Sequence, residues 1–354
     1  MIRLEDLEVL VCCGAGGVGK TTTAAALGVH AAAHGRRVVV LTVDPARRLT
    51  QALGLPGLGH EPRPVSGVGG AGGGSLDASV LDMRQTFDDV VRAHAPEGTA
   101  HRVLDNPVYQ TLSTSFAGTQ EYMAMERLGQ LRDEAAATGR WDLIIVDTPP
   151  SRTALDFLDA PRRLGAFLDG RLARTLARPA RMGGSVLEAT LGRLVGRGLL
   201  ADVRAFVSAT DTVFVGFRDR AEATAGRLRQ PGTAFLVVAT PERDALREAS
   251  YFVQRLHEDA LPLGGVVVNR VVLGTGELSA GRAEAAAEQV SDPVVAALLR
   301  VHADRADTAR RQQRLVRAFR SGRPGLASVQ VAERPDVVDL PGLAGLAEDV
   351  LAPG

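Results

Sequence analysis

Lysine is all but missing from this sequence. Lys20 is the only one in 354 residues, and every other basic residue counted with it is arginine. Such a bias fits drift in a G+C-rich genome, where arginine replaces lysine wherever either serves. A lysine kept against that drift does something a guanidinium cannot, such as closing a compact ammonium onto a phosphate inside a tight loop. Cysteine is nearly as scarce, with Cys12 and Cys13 side by side and no others. Neighbours on a strand point to opposite faces, which excludes a disulfide between them and fits a reducing compartment. Aromatic residues make up 4% of the chain, which weakens any case for stacking on nucleic-acid bases. Formal net charge is zero, so bulk electrostatics gives no reason to expect a nucleic-acid or acidic-membrane partner. No uninterrupted apolar run approaches the roughly 20 residues that cross a bilayer, and residues 1–7 lack the core of a signal peptide. The expectation is a cytoplasmic protein without stable membrane insertion.

What is present reads as globular. Apolar residues are 45% and charged residues 23%, enough for one large core or two fused ones. Glu8 to Cys13 is a short apolar run ending at glycines, the mark of a buried strand. A helix follows from Lys20 to about Ala33, closed by Gly35, and Arg37 to Val43 is a second buried strand. Strand, loop, helix and strand in about 40 residues form a βαβ unit, which implies a parallel sheet. Further buried strands are expected at Leu143 to Val146, Ala234 to Val238 and Gly265 to Val268, with a weaker one at Ala327 to Val331. This is an open α/β fold, a mostly parallel central sheet flanked by helices, with its ligand site at the carboxyl ends of the strands. Residues 1–354 read as one domain. Its core is about 1–82, 140–160 and 221–354, and its inserted helical subdomain is about 83–139 and 161–220. The glycine run Gly67 to Gly74 has no lysine and leads into a strand-like segment, so it reads as a flexible loop.

Gly14-Ala15-Gly16-Gly17-Val18-Gly19-Lys20-Thr21 matches the phosphate-loop pattern and stands after a strand at a helix start, where the mechanism requires it. Glycines turn backbone N–H groups inward as an anion nest, and the helix terminus adds its dipole. Lys20 is expected to hold the β- and γ-phosphates. Thr21 is expected to place its hydroxyl on Mg2+, with Thr22 beside it at the loop. Asp44 and Asp147 each end a buried strand facing this loop. Asp147 is the expected metal-side aspartate, acting through coordinated water, which leaves Asp44 to orient the attacking water.

Gly-Gly-Val-Gly-Lys-Thr, then Asp44-Pro45-Ala46, then Asp147-Thr148-Pro149-Pro150 resembles the motif order of the ArsA-type and guided-entry ATPases. That family includes the arsenite-pump ATPase subunit and the targeting factor for tail-anchored membrane proteins. The resemblance implies a P-loop ATPase using ATP and Mg2+. It assigns adenine reading to Asn269, with the pocket closed by Val331 to Pro335. A guanine reader would need aspartate at position 272, which is Val272. The family also implies a dimer, and two departures bear on it. Relatives carry a second loop lysine that reaches across the dimer, where this chain has Ala15. The targeting factor's zinc clasp needs a Cys-x-x-Cys that Cys12 and Cys13 cannot supply. In the switch after Asp147, the family's glycine and histidine align with Arg152 and Thr153. The expected partner is a second copy, with catalysis weakened or an arginine such as Arg47 or Arg152 in the lysine's place, or a lysine-bearing paralogue that donates its lysine in trans.

In relatives, paired helices form an apolar groove for a client's transmembrane segment. Here Met123 and Met125 follow Gly118-Thr119-Gln120-Glu121, close to the family's pattern at the start of a groove helix, and Leu164, Phe167, Leu168, Leu172, Leu176, Val186, Leu187, Leu191, Leu194 and Leu199 continue the apolar series. They read either as such a groove for a membrane-protein client or as ordinary core packing. Two further readings remain: a nucleotide-binding regulatory subunit that scarcely hydrolyses, and a ParA/MinD-type positioning ATPase. The last should show a basic surface or a terminal membrane helix, whereas Leu340 to Gly354 is short, acidic and proline-flanked.

Overall fold

The computed structural model describes residues 2–43, 47–69, 72–95, 100–106, 120–149, 216, 219–274, 276–334 and 339–352. Asp44, Arg152, Thr153, Pro335 and the apolar positions from Leu164 to Leu199 lie outside the described residues. Eight strands form one sheet: β1 (Val9–Cys13), β2 (Arg37–Thr42), β3 (Arg63–Pro64), β4 (Ser75–Val80), β5 (Leu143–Asp147), β6 (Thr233–Ala239), β7 (Leu263–Val271) and β8 (Ser328–Ala332). Their order is β3-β4-β2-β5-β1-β6-β7-β8. Every neighbouring pair is parallel except β3 with β4. The sheet is thus mostly parallel, as expected, with one short antiparallel edge strand that carries no apolar pattern to announce it.

Strand alternation sorts the core into two layers. Val9, Val11, Cys13, Val39, Leu41, Ile144 and Val146 face one cluster, while Leu10, Cys12, Val38, Val40, Leu143 and Ile145 face the other. Cys12 and Cys13 therefore belong to opposite layers, and both are buried. The second layer is covered by α1 (Lys20–Ala33) and α2 (Arg47–Ala52), with α9 (Leu340–Leu351) added from the far end of the chain. Gly28 of α1 has no room for a side chain, since an added Cβ would lie 2.9 Å from Val40 Cγ2. In α9, Leu343, Leu346, Ala347 and Val350 are buried against this layer, so the helix's apolar face is spent on the core.

The first layer receives α3 (Met83–His94), α4 (Ala100–Leu104), α5 (Gln120–Thr138), α6 (Arg243–Glu258) and the end of α8 (Pro293–Ser321). Val90 and Val91 of α3 share one cluster with Val39 and Ile144 of the sheet, as do Met123, Met125, Leu128 and Leu131 of α5. Met123 and Met125 are 2% and 0% exposed, so these two pack in the core and line no groove in this conformation. A short helix, α7 (Ala280–Gln289), pairs with the first half of α8 around Ala283 and Ala303.

The glycine run before β4 serves close packing at Gly74. An added Cβ there would come within 2.0 Å of Ala32 O, at the α1–β2 turn. The reading of the run as a flexible loop is corrected at this position, because two backbones meet where no side chain fits.

Candidate functional site

The site grows from the central strand. β1 lies between β5 and β6, and its carboxyl end runs through Gly14 into the loop that starts α1. Two glycines there are required by space and by conformation. Gly14 has φ +146, and a Cβ on it would stand 2.1 Å from Val238 O of β6. Gly19 has φ +101, and its Cβ would stand 2.3 Å from Asn269 Nδ2. The loop is thus bare backbone pressed against β6 and β7, while Gly16 and Gly17 are exposed at its rim.

Helix α1 begins at Lys20 with Gly19 as its N-cap, no side-chain cap and no acid in its first turn. Its leading N–H groups and dipole are left to an external anion. Lys20 is only 6% exposed, and its Nζ donates to Ala15 O at 2.9 Å, closing the ammonium over the loop. Ala15 itself packs its methyl against the α1 layer. Thr22 is half-buried beside Thr21 on the first turn.

Next to the ammonium lies a set of oxygens. Thr21 Oγ1 donates to Asp147 Oδ2 at 2.7 Å, and Thr42 Oγ1 donates to the same oxygen at 3.0 Å. Strand register explains the meeting: Asp147 pairs with Cys12 on one side and Thr42 on the other. Thr148 anchors the chain just beyond, its N–H and hydroxyl both donating to Cys12 O at 3.2 and 2.9 Å. The thiols next door are inert. Burial and then the Asp147 charge push Cys12 well above the ordinary range, and burial pushes Cys13 up to about 12.

These residues fit both groups that the sequence implies. The loop is a backbone cradle that Cβ atoms would fill, beside a buried ammonium. Thr21, Thr42 and Asp147 supply hard oxygen atoms, the chemistry Mg2+ selects. No cluster of three His, Cys, Asp or Glu side chains occurs among the described residues, so a cation here would take its other ligands from phosphate and water.

Of the residues expected at the adenine end, Asn269 is in contact with the loop. It is buried, its Nδ2 donates to Val18 O at 2.9 Å, and its Oδ1 accepts from Arg270 N at 2.9 Å. Val331 is placed otherwise. It is 0% exposed and packs in the α9 layer, because alternate residues of β8 turn inward at Val329 and Val331 and outward at Gln330. Its side chain is core and not pocket wall. Two contributors escaped the sequence: Thr42, which belongs to no motif, and Gln120, whose Nε2 donates to Val43 O at 2.7 Å, next to Asp44.

Comparison with known proteins agrees with this geometry. The pattern of the anion-transporting ATPase family matches residues 7–290. The chain is 26% identical over 273 residues to the ATPase get3 of Pyrenophora tritici-repentis, covering 76% of this chain and 75% of that protein. Over 158 residues it is 28% identical to the arsenical pump-driving ATPase of Acidiphilium multivorum, covering 44% of this chain and 26% of the pump subunit. Over 163 residues it is 32% identical to protein Rv2184c of Mycobacterium tuberculosis, covering 44% of this chain and 38% of the relative. With a P-loop α/β sheet and a family match across most of its length, the chain belongs to the anion-transporting ATPase family.

Proposed function

We propose that this chain binds ATP with Mg2+ and hydrolyses it to ADP and phosphate, acting as a dimer. One observation carries the reading: a buried ammonium and a hydroxyl–carboxylate pair flank a loop whose glycines leave its backbone bare. Lys20 Nζ exchanges Ala15 O for phosphate oxygens and meets the charge that builds as the terminal phosphoryl leaves. The N–H groups of the loop and the first turn of α1 hold the remaining phosphate oxygens. Thr21 and Asp147 would hold Mg2+, which when bound offsets phosphate charge. Asp44 orients the attacking water. Asn269 meets the adenine, with the segment ending at Pro335 closing over it.

The partner is a second copy or a paralogue that carries lysine at the position of Ala15. The resemblance to guided-entry ATPases supports a membrane-protein client or partner for the helical region. A second reading, a regulatory subunit that binds ATP and scarcely turns it over, is favoured by Ala15 itself. Its side chain packs on the α1 layer and brings no cation to a neighbour's nucleotide.

Steady-state ATPase activity of the purified chain, alone and mixed with its paralogue, decides between them beside a Lys20→Ala control. Turnover that the control abolishes supports the enzyme, and turnover only on mixing supports donation in trans. Binding without turnover in either case transfers the reading to the regulatory subunit. No ATP binding at all ends both.

A further inference from the structure

Arg270 is in the wrong conformation for an ordinary strand residue. Its φ is +60, in the left-handed region, one of two non-glycine residues so placed among the described residues. It sits inside β7, where the register with β8 shifts: Val268 pairs with Gln330, but Val271 pairs with Ala332. One extra residue is thus inserted on β7, a bulge that bends the strand and re-aims its side chains. A glycine would adopt this φ without strain, yet the position carries a large cation.

The bulge brings two consecutive side chains onto one target. Asn269 Nδ2 donates to Val18 O at 2.9 Å, and Arg270 Nη1 donates to Gly17 O at 3.0 Å. The Arg270 N–H closes the turn on Asn269 Oδ1. Two successive carbonyls of the phosphate loop are therefore held from the β7 side. A trans peptide is planar, with each C=O antiparallel to the following N–H. Fixing the carbonyls of Gly17 and Val18 toward β7 turns the N–H groups of Val18 and Gly19 away from it, into the hollow of the loop. A Cβ added at Gly17 would meet nothing within 4 Å, so side-chain packing does not fix the loop at this residue.

We infer that Arg270 is a positioning residue for nucleotide, acting through the Gly17–Val18 peptide to aim the loop's N–H groups at phosphate. This rests on the ATP-binding reading for its ligand, though not for its geometry. The strained bulge is the device, and exposed Arg270 is the half of the clamp that Asn269 alone does not supply. Binding is affected more than the chemical step, since these N–H groups meet phosphate before and after transfer.

The experiment compares Arg270→Gly and Arg270→Lys with the full-length wild type, using Mg2+ and ATPγS in calorimetry. Glycine keeps the bulge and relieves its φ, so the urea midpoint should hold or rise. The affinity for ATPγS should nonetheless fall about tenfold, the worth of one charge-assisted hydrogen bond, with kcat at saturation changed less than about threefold. Lysine reaches the same carbonyl and should restore affinity to within about threefold. In nucleotide-free protein the amides of Val18 and Gly19 should exchange about tenfold faster in the glycine variant. Unchanged affinity with unchanged exchange overturns the inference. So does weaker binding that tracks a lower urea midpoint with no rescue by lysine. If the wild type binds no ATPγS, the ATP reading has failed separately. The exchange of the two amides then decides the clamp: faster exchange in Arg270→Gly upholds it, and equal exchange sinks it.

Discussion

Replacing Gly19 by alanine separates two demands that the phosphate loop makes on one residue. The first is conformational: φ is +101, and an L side chain in the left-handed region costs about 1–2 kcal/mol. The second is spatial. The new Cβ would lie 2.3 Å from Asn269 Nδ2, far inside contact distance, so the amide must leave Val18 O. A lost hydrogen bond of this kind is worth about 1 kcal/mol, giving about 2–3 kcal/mol in all. Gly17→Ala is the natural control, since φ there is +75 and nothing lies within 4 Å. It should cost only the conformational part, about 1–2 kcal/mol. Equilibrium urea unfolding of nucleotide-free protein reads both, provided the slope of the transition is unchanged. In an Asn269→Ala background the excess at Gly19 should vanish, a coupling of about 1 kcal/mol between the two sites. The reasoning is refuted if Gly19→Ala costs no more than Gly17→Ala, or if the two mutations add without coupling.

Other measurements probe the surroundings. Thr42→Val removes a donor from the buried Asp147 carboxylate and should destabilise the chain by about 1.5–3 kcal/mol, whereas Thr42→Ser should not. Equal urea midpoints for valine and wild type would show that the hydroxyl contributes nothing there. Burial, reinforced by the charge of Arg127 and opposed by Asp89, holds His60 below the usual imidazole value of 6.5. A lowered value means stability present above that pH and lost as pH falls below it, because the unfolded chain takes up the proton first. The drop in urea midpoint between about pH 7.5 and about pH 5.5 should therefore shrink in His60→Gln, and an undiminished drop would count against this account. Trp141, the sole tryptophan, stands just before β5 at the amino edge of the sheet, with Nε1 donating to Asp77 Oδ2 at 3.0 Å. Its emission should report unfolding and stay constant on ATP addition, since the site lies at the opposite, carboxyl edge. A nucleotide-dependent change would mean that binding rearranges the sheet's far side.

The parts that could be read from sequence share a physical cause. Strands β1, β2, β5, β6 and β7 are covered on both faces, so each carries a continuous apolar run. β3 is two residues long and includes a proline, and β4 hides its pattern behind Asp77 and Ser79. Asp77 is buried only because Arg140 and Trp141 donate to it, a pairing fixed by distant chain. At the site, Lys20 and Thr21 were legible because a phosphate loop works at fixed spacing from one strand and one helix, and Asp147 because an apolar strand ends on it. Thr42 was not, since it reaches Asp147 through strand register. The family resemblance puts Val331 at a pocket, but its side chain turns inward, because parity in β8 depends on strand pairing that sequence alone leaves open. The role of Arg270 turns on a dihedral angle, and an arginine in the sequence does nothing to announce a positive φ.

The scarcity of lysine gives this chain a built-in footprint. Its single side-chain amine is folded into the phosphate loop, with only 6% of the residue exposed. Acylation of that amine, followed on one peptide by mass spectrometry, would therefore time the opening of the loop and its protection by ligand. Both thiols are sealed in the core and held in the unreactive neutral form, so one engineered surface cysteine would be labelled alone. Amine and thiol chemistry could then follow the loop and a chosen surface position in the same sample.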